Sequence, residues 1–171
     1  MSARNIAEST VTLIRDEIKS KIAGALSDLR IERGDAAVST EPPPTQSYFI
    51  YEGAKAYKAP AIFVILDNID HRLNQGQNFI CSLCKVNVSV VVEDRDKTAL
   101  TTKAWRYQDA LHFILSRAQL ESANKDVRLV IKVVKETFSP TYSDTKDSQA
   151  AQSIFRKEVL LECEVEHYEQ E

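Results

Sequence analysis

Two cysteines three residues apart, Cys81 and Cys84, are the first residues whose types and spacing could do chemistry. This spacing occurs in zinc sites and in redox pairs, but a zinc site needs two further ligands. The surrounding residues alternate as in a β-strand, in which positions i and i+3 point to opposite faces, so the two thiols could not share a metal. A redox pair normally opens a helix, which lowers the thiol pKa. We therefore expect these residues and Cys163 to be buried apolar cysteines and predict no metal site.

Three glutamates at two-residue spacing, Glu162, Glu164 and Glu166, form a second candidate cluster, because paired carboxylates can act as acid and base. Like charges on one face of a strand usually mark a solvated face. The alternative is an acidic wall that faces a pore or the basic surface of a partner. The sequence leaves both interpretations open.

No other pattern indicates catalysis. The sequence contains no nucleophile elbow, phosphate-binding loop, paired-glycine fingerprint or helical HExxH motif. The histidines His71, His112 and His167 lie in polar or helix-flanking contexts that do not point to a catalytic base. We predict no catalytic, cofactor-binding or metal-binding residues, no cofactor, and a protein that is not an enzyme.

Trp105 lies beside Arg106 and Tyr107 and could stack on nucleic-acid bases. In a helix, however, Tyr107 belongs to the apolar stripe and Trp105 lies off it. An exposed tryptophan on a helix is a good anchor for a protein interface. We therefore expect Trp105 to contact another protein chain.

The strongest pattern predicts a long strand over residues 78–94, a charged turn, and a helix that ends at Arg117. Apolar and polar residues alternate strictly through the second half of this strand. One face carries Cys84, Val86, Val88, Val90 and Val92, and the other carries Lys85, Asn87 and Ser89. Before Cys84 the apolar phase is reversed, which predicts a β-bulge or a bend. Asp96 is placed to cap the helix with its carboxylate.

The remaining patterns complete an α+β plan. They predict a helix at residues 5–29, strands at 48–51 and 61–66 joined as a loose hairpin, and strands at 127–137 and 155–167. The polar segment 139–153 cannot bury enough apolar surface to offset its ordering, so we expect it to be mobile in the free protein and ordered on assembly. The order α-β-β-β-α-β-β predicts a single domain with a largely antiparallel sheet and both helices packed on it.

The net charge and the length of the apolar runs limit the classes of function that the chain can have. The chain has 171 residues and a formal net charge of −3, which gives no electrostatic reason to expect a tight grip on phosphate backbones. The polar start of the chain, residues 1–5, does not read as a signal peptide. The longest apolar run, residues 59–66, is too short to span a bilayer. We expect a chain that is made in the cytosol and has no membrane segment.

A family resemblance rests on the order of the segments. It consists of the N-terminal helix with a long irregular link, the strand begun by Ala59-Pro60, the alternating strand at 85–92 that ends in Glu93-Asp94, the helix that carries residues 104–111, and the closing antiparallel pair. In these features the chain resembles the tail-terminator, or tail-completion, proteins of tailed bacteriophages and the related neck proteins at the head–tail junction. The resemblance implies that residues 1–171 form a single domain of this type.

The resemblance implies a non-enzymatic virion protein assembled in the host bacterial cytoplasm. Such proteins form a ring, here of six copies because the tube has sixfold symmetry, that caps the growing tail tube and then joins it to the head. The implied partners are further copies of the chain, the tail tube protein and the neck or connector proteins. Genomic DNA would pass through the lumen without specific binding.

A ring contact joins two unlike patches of neighbouring subunits. We expect one patch to be the polar face of the long strand and the other to be the acidic face of the last strand, with Trp105 as a further anchor. The predicted interface residues are Lys85, Asn87, Ser89, Trp105, Glu162, Glu164 and Glu166. The competing classes are a small cytosolic enzyme or ligand-binding α+β domain and another head–tail connector protein.

Overall fold

The computed structural model describes residues 5–34, 40–51, 57–72, 79–143 and 154–170. Within these ranges two helices and seven strands follow one another. In chain order they are α1 (Ile6–Arg33), β1 (Tyr48–Phe49), β2 (Ala61–Arg72), β3 (Phe79–Asp94), α2 (Lys97–Leu115), β4 (Gln119–Glu121), β5 (Val127–Phe138), β6 (Tyr142–Ser143) and β7 (Phe155–Gln170). Most of the polar segment predicted to be mobile, residues 144–153, lies outside the described residues.

All the strands belong to one sheet. Its order is β1-β2-β3-β7-β5-β4, and the short β6 pairs with β7 beyond the end of β5. Every pairing is antiparallel except that of β1 with β2. The α+β prediction, with one largely antiparallel sheet and two helices packed on it, is confirmed.

The central pair β3–β7 runs without interruption from Phe79 opposite Gln170 to Asp94 opposite Phe155. The predicted β-bulge in β3 near Cys84 is therefore wrong, and the alternative of a bend stays a prediction. The side chains of β3 keep alternating between the two faces along the whole strand. Cys81 and Leu83 therefore lie on the same face as Lys85, although they are apolar. The register shifts lie instead in β2 and in β5, where Asp67 and Val134 are the extra residues.

The predicted hairpin between the first two strands is also wrong, because β1 and β2 are parallel. The chain returns after β1 and starts β2 beside it. The backbone N–H of Ile62 donates to the carbonyl of Ser47 at 2.9 Å, and the Ser47 hydroxyl donates to the carbonyl of Lys58 at 3.0 Å. β2 also continues through Arg72 instead of ending at Leu66, because its polar second half keeps pairing with β3.

The helices form the second layer and cover one face of the sheet. Helix α1 is capped at its start by Asn5, whose side chain accepts from the N–H of Glu8. Gly34 caps its end, with a φ of 67° that favours glycine. The Asp96 cap is confirmed, with its carboxylate accepting from the N–H groups of Thr98 at 2.7 Å and Ala99 at 2.9 Å. Helix α2 ends at Leu115, slightly before the predicted end.

The core lies between these two layers. Its fully buried members come from both helices and from the facing side of four strands. They include Ile14, Ile18, Ile22, Ile62, Val64, Val86, Val88, Val90, Leu100, Tyr107, Leu111, Leu129, Ile131, Leu161 and Val165. Burying each large aliphatic side chain stabilises the fold by about 1.5–3 kcal/mol relative to leaving it exposed. This layer holds the sheet rigidly, and so it fixes the residues on the opposite side.

Candidate interaction surface

The two faces of the sheet have different surroundings. We call the side beneath the helices the covered face and the other side the open face. The central strands β3 and β7 alternate between them, so that Val86 and Cys163 point to the covered face and Lys85 and Glu164 to the open face. Within the described ranges, no helix packs on the open face.

Six of the seven predicted interface residues lie on the open face, and they lie next to one another. Lys85 is directly opposite Glu164, and Asn87 is directly opposite Glu162. On the other side of β7, Lys132 of β5 is also opposite Glu164. We call this surface, formed by Lys85, Asn87, Glu162, Glu164, Lys132 and Lys135, the charged ladder.

The charged ladder places opposite charges next to one another, with three lysines beside two glutamates. Each central glutamate has a lysine as a cross-strand neighbour, and the Lys135 ammonium lies 3.6 Å from a carboxylate oxygen of Glu162. Opposite charges on neighbouring strands contribute roughly 0.2–1 kcal/mol per pair. The predicted polar and acidic rows are therefore parts of one surface of one subunit, and the expectation of two separate patches is wrong. For the same reason the glutamates do not form an unbroken acidic wall.

Glu166 lies at one end of this row and has apolar cross-strand neighbours, Leu83 and Val130. Its carboxylate accepts a hydrogen bond of 2.6 Å from the hydroxyl of Tyr168. This hydrogen bond, with burial as the second cause, raises the pKa of Tyr168 to about 12. Glu166 is thus fixed by its own strand rather than by a basic partner.

Ser89 lies at the other end of the open face, where the surface becomes apolar. Its cross-strand neighbours are Phe63 and Leu160, and its exposed fraction is only 8%. The Phe63 ring stacks on that of Phe49 at a centroid distance of 5.0 Å and meets the edge of Tyr57 at 5.3 Å. Aromatic packing on the open face therefore encloses the hydroxyl that the alternation predicted to be exposed.

Trp105, the seventh predicted residue, lies on α2 and thus on the far side of the molecule from the charged ladder. It is 50% exposed, as its position off the apolar stripe predicts. Phe113 on the same helix is 79% exposed. The helix layer therefore presents large apolar side chains to solvent, and the role of Trp105 in a contact stays a prediction.

The cysteines lie where strand geometry places them. Cys84 is on the covered face, where its sulfur lies 4.0 Å from the Thr10 hydroxyl, and Cys81 is on the open face opposite Tyr168. Burial raises the pKa of both thiols, and it raises the pKa of Cys163 to about 12. The two thiols of the Cys81–Cys84 pair thus lie on opposite sides of the sheet. In the part of the chain that the structure describes, no three His, Cys, Asp or Glu side chains are grouped to hold a metal ion.

The histidines contact different partners and do not converge. His167 is buried on the covered face, where its Nε2 lies 3.2 Å from the Ser9 hydroxyl. Among the described residues its Nδ1 has no hydrogen-bond partner, and burial lowers the pKa of His167. His112 lies 2.6 Å from a carboxylate oxygen of Glu136 on the surface. His71 lies 3.1 Å from the Ser82 hydroxyl.

An open pocket of about 200 Å³ lies where β3 meets α2. Two of the polar groups that line it are engaged within the protein: the Lys103 ammonium lies 2.6 Å from a carboxylate oxygen of Asp94, and the Tyr107 hydroxyl donates to the carbonyl of Glu41. Burial alone would raise the pKa of Asp94, but hydrogen bonds and the charge of Lys103 bring it below its usual value.

Solved structures include one that is similar to this chain, whereas comparisons of sequence find no match. No protein-family profile and no curated protein sequence matches the chain. The chain is similar to a solved structure described as "Virion of native gene transfer agent (GTA) particle", with 11% identity, a TM-score of 0.43, and coverage of 96% of this chain and 99% of that chain. Neither described helix is long and apolar enough to cross a membrane.

Sequence reasoning missed two features of this surface. It did not find the aromatic cluster of Phe49, Tyr51, Tyr57 and Phe63, because these side chains come from separate short segments. It also missed the lysines of the charged ladder as partners of the glutamates. The signal was present in the alternation of β5, where Lys132 stands between inward apolar residues, but the pairing of β5 with β7 had to align it with Glu164.

Proposed function

We propose that this chain is a structural subunit of a phage or phage-like virion, and that its copies form a ring that ends the tail tube and joins the tail to the head. One observation carries the proposal. Six predicted contact residues lie side by side on a sheet face on which no described helix packs. The order of its elements, which resembles that of the tail-terminator proteins, supports the same function.

The charged ladder has the chemistry of a docking surface with defined orientation. Rows of alternating charge contribute more to register and partner choice than to raw affinity. We propose that Lys85, Asn87, Ser89 and the three glutamates lie in or beside the contact with another protein of the assembly. That partner is the tail tube protein, a neck or connector protein, or the next copy. Trp105 is a second, separate contact on the helix side.

The mixture of positive and negative side chains on the open face also suits a ring that surrounds DNA. The formal net charge is −3, and each central glutamate of the open face has a lysine as a neighbour. Such a surface does not neutralise many phosphates. It therefore gains little of the free energy of counterion release that dominates tight DNA binding. DNA can then pass through the lumen without being held. The ring has six copies and belongs to the virion, where the tail meets the neck.

Deleting the gene from the phage or phage-like element that encodes the chain tests the proposal. Because the tube would lack its cap, electron microscopy should show tubes of uncontrolled length and heads without tails. A plasmid copy of the gene should restore normal particles. Particles of normal tail length in the deletion strain would refute the proposal and favour a cytosolic enzyme or ligand-binding domain.

A further inference from the structure

The edge of the sheet at β2 is partly unpaired among the described residues. β1 covers only its first residues, pairing Tyr48 with Ile62 and Phe49 with Phe63. The N–H of Ile62 points away from β3, because it donates to the carbonyl of Ser47. Since strand residues alternate, the backbone groups of Val64 and Leu66 point the same way. The pairing of Phe49 with Phe63 takes up the N–H of Val64, whereas no described strand pairs with the outward groups of Leu66.

The opposite edge of the sheet, at β5, has the same property. β4 pairs with Arg128, Leu129 and Val130, and the N–H of Ile131 donates to the carbonyl of Ala118. Beyond this point, no described strand pairs with the outer side of Lys132–Phe138. Two apolar side chains are exposed there, Val134 at 46% and Phe138 at 37%. An open strand edge is a template for pairing with another chain.

The two open edges carry opposite charges at matched spacing. Asp67 and Asp70 are exposed on β2, three residues apart, and Lys132 and Lys135 are exposed on β5, also three residues apart. In an antiparallel pairing that places Lys135 beside Asp67, Lys132 falls beside Asp70. Each strand also has its register shift within this stretch.

We propose that the open edge of β2 in one copy pairs antiparallel with the open edge of β5 in the next copy, so that the sheet continues from subunit to subunit. Within the subunit β2 and β5 run in opposite directions, as successive antiparallel pairings require. A neighbour related by rotation about an axis along the strands would therefore present its β2 antiparallel to β5.

The charges also disfavour pairing of like edges in the corresponding register. Two β2 edges that place Asp67 beside Asp70 would bring aspartates together, and two β5 edges that place Lys132 beside Lys135 would bring lysines together, which costs stability for pairs directly opposite. In this register the unlike combination is the attractive one. The contact is therefore heterologous, and it closes into a ring rather than a twofold dimer if the rotation closes.

This inference deepens the proposed function and rests on it for its biological role, because it assigns the copy-to-copy contact of the ring to the strand edges. The open face is then free to meet the lumen or a partner protein. The charged ladder borders the contact, since Lys132 and Lys135 belong to both. The edges are thus a contact surface separate from Trp105 and from the central strands.

Charge exchange between the two edges tests the contact. One variant carries Asp67→Lys and Asp70→Lys, and the other carries Lys132→Glu and Lys135→Glu. Self-association of the full chain is measured by sedimentation velocity up to about 1 mM protein, where even millimolar contacts are populated. Each variant alone should associate roughly 10- to 100-fold more weakly than wild type, because two cross-strand pairs change from attraction to repulsion.

An equimolar mixture of the two variants is the most decisive test of the edge contact. One variant has two basic edges and the other two acidic edges, so the mixture should restore association with alternating copies. Lys125→Glu, in the exposed turn before β5, should leave association unchanged. Circular dichroism checks that each variant is folded. The aspartate variant does not touch the charged ladder, so it stays informative if the lysine variant unfolds.

The edge contact would be overturned if the charge reversals left association unchanged, or if the mixture did not restore it. A wild-type chain that stays monomeric at the highest concentration would also overturn it. None of these results bears on the proposed function, which depends on the deletion phenotype. Conversely, normal particles in the deletion strain would refute the virion function and leave the edge contact standing as a property of the chain.

Discussion

The covered and open faces of the same sheet differ in what determines their residues. On the covered face Val86, Val88 and Val90 are fully buried and contact the helices of their own chain. On the open face Lys85 lies opposite Glu164 and Asn87 lies opposite Glu162, and all four side chains stay partly accessible. The apolar residues of the covered face are explained by folding alone. The polar residues of the open face are not needed for the core, and the proposed function assigns them to a contact with a partner.

The largest expected effect is on the covered face. Val88 has no exposed surface and lies between Val64 and Leu161. Val88→Asp should lower the free energy of unfolding by about 4 kcal/mol or more, because an unpaired charge would be buried. Chemical denaturation measures this loss. Val88→Ala is the control and should cost less, since it removes volume without adding charge. Equal losses in the two variants would contradict the burial of this face.

The second effect tests whether the open face is uniform. Ser89 is polar by type, and alternation predicts an exposed side chain, yet Phe63 and Leu160 flank it. Ser89→Asp should therefore cost about 1–3 kcal/mol, an intermediate value, since the carboxylate would be largely but not fully desolvated. Ser89→Ala should be nearly neutral. A tolerated aspartate would mean that this end of the open face is as accessible as Lys85.

The alternation of β3 and β7 was enough to predict the sheet and its covered face, because burial of one face imposes a period of two. The second helix was predicted from its own apolar spacing of three and four residues. It could not place the register shifts, since Asp67 in a polar run looks the same as the start of a turn. It could not orient β1 either, because a parallel pairing depends on where the chain returns. Lys85 and Glu164 were each found from sequence, but only the pairing of β3 with β7 makes them neighbours.

The third effect tests whether the charged ladder contributes to folding. Glu164 has Lys85 and Lys132 as its two cross-strand neighbours. Glu164→Lys should lower the free energy of unfolding by roughly 1–2 kcal/mol, because two attractive pairs become repulsive. Added salt should recover part of the loss. Glu164→Gln, which removes the attraction without repulsion, should cost less. A loss that does not respond to salt would show that the lysines are not its source.

The smallest effect concerns His167, a buried side chain of the covered face whose Nδ1 has no hydrogen-bond partner in the part of the chain that the structure describes. Burial lowers its pKa below that of the unfolded chain, while the nearby Glu169 partly opposes this shift. Stability is then full above pH of about 6.5 and falls as pH drops towards the folded-state pKa, because the unfolded chain takes up the proton first. At pH 6 the loss should stay under about 1 kcal/mol.

His167→Gln can keep the contact with Ser9 and removes this titration. Unfolding curves at pH 7.5 and pH 6 should therefore differ less for the variant than for wild type. The same pH dependence in both proteins would mean that His167 is not the group responsible.

The central claim is that many copies of this chain meet through their surfaces in a closed ring at the end of a tail tube. Electron microscopy of the assembled particle, with the chain located by its density and counted, tests this claim most directly. The expected result is one ring of six copies at the head-proximal end of the tube, with the open faces in equivalent positions. A single copy in the particle, or its absence from the particle, would contradict it.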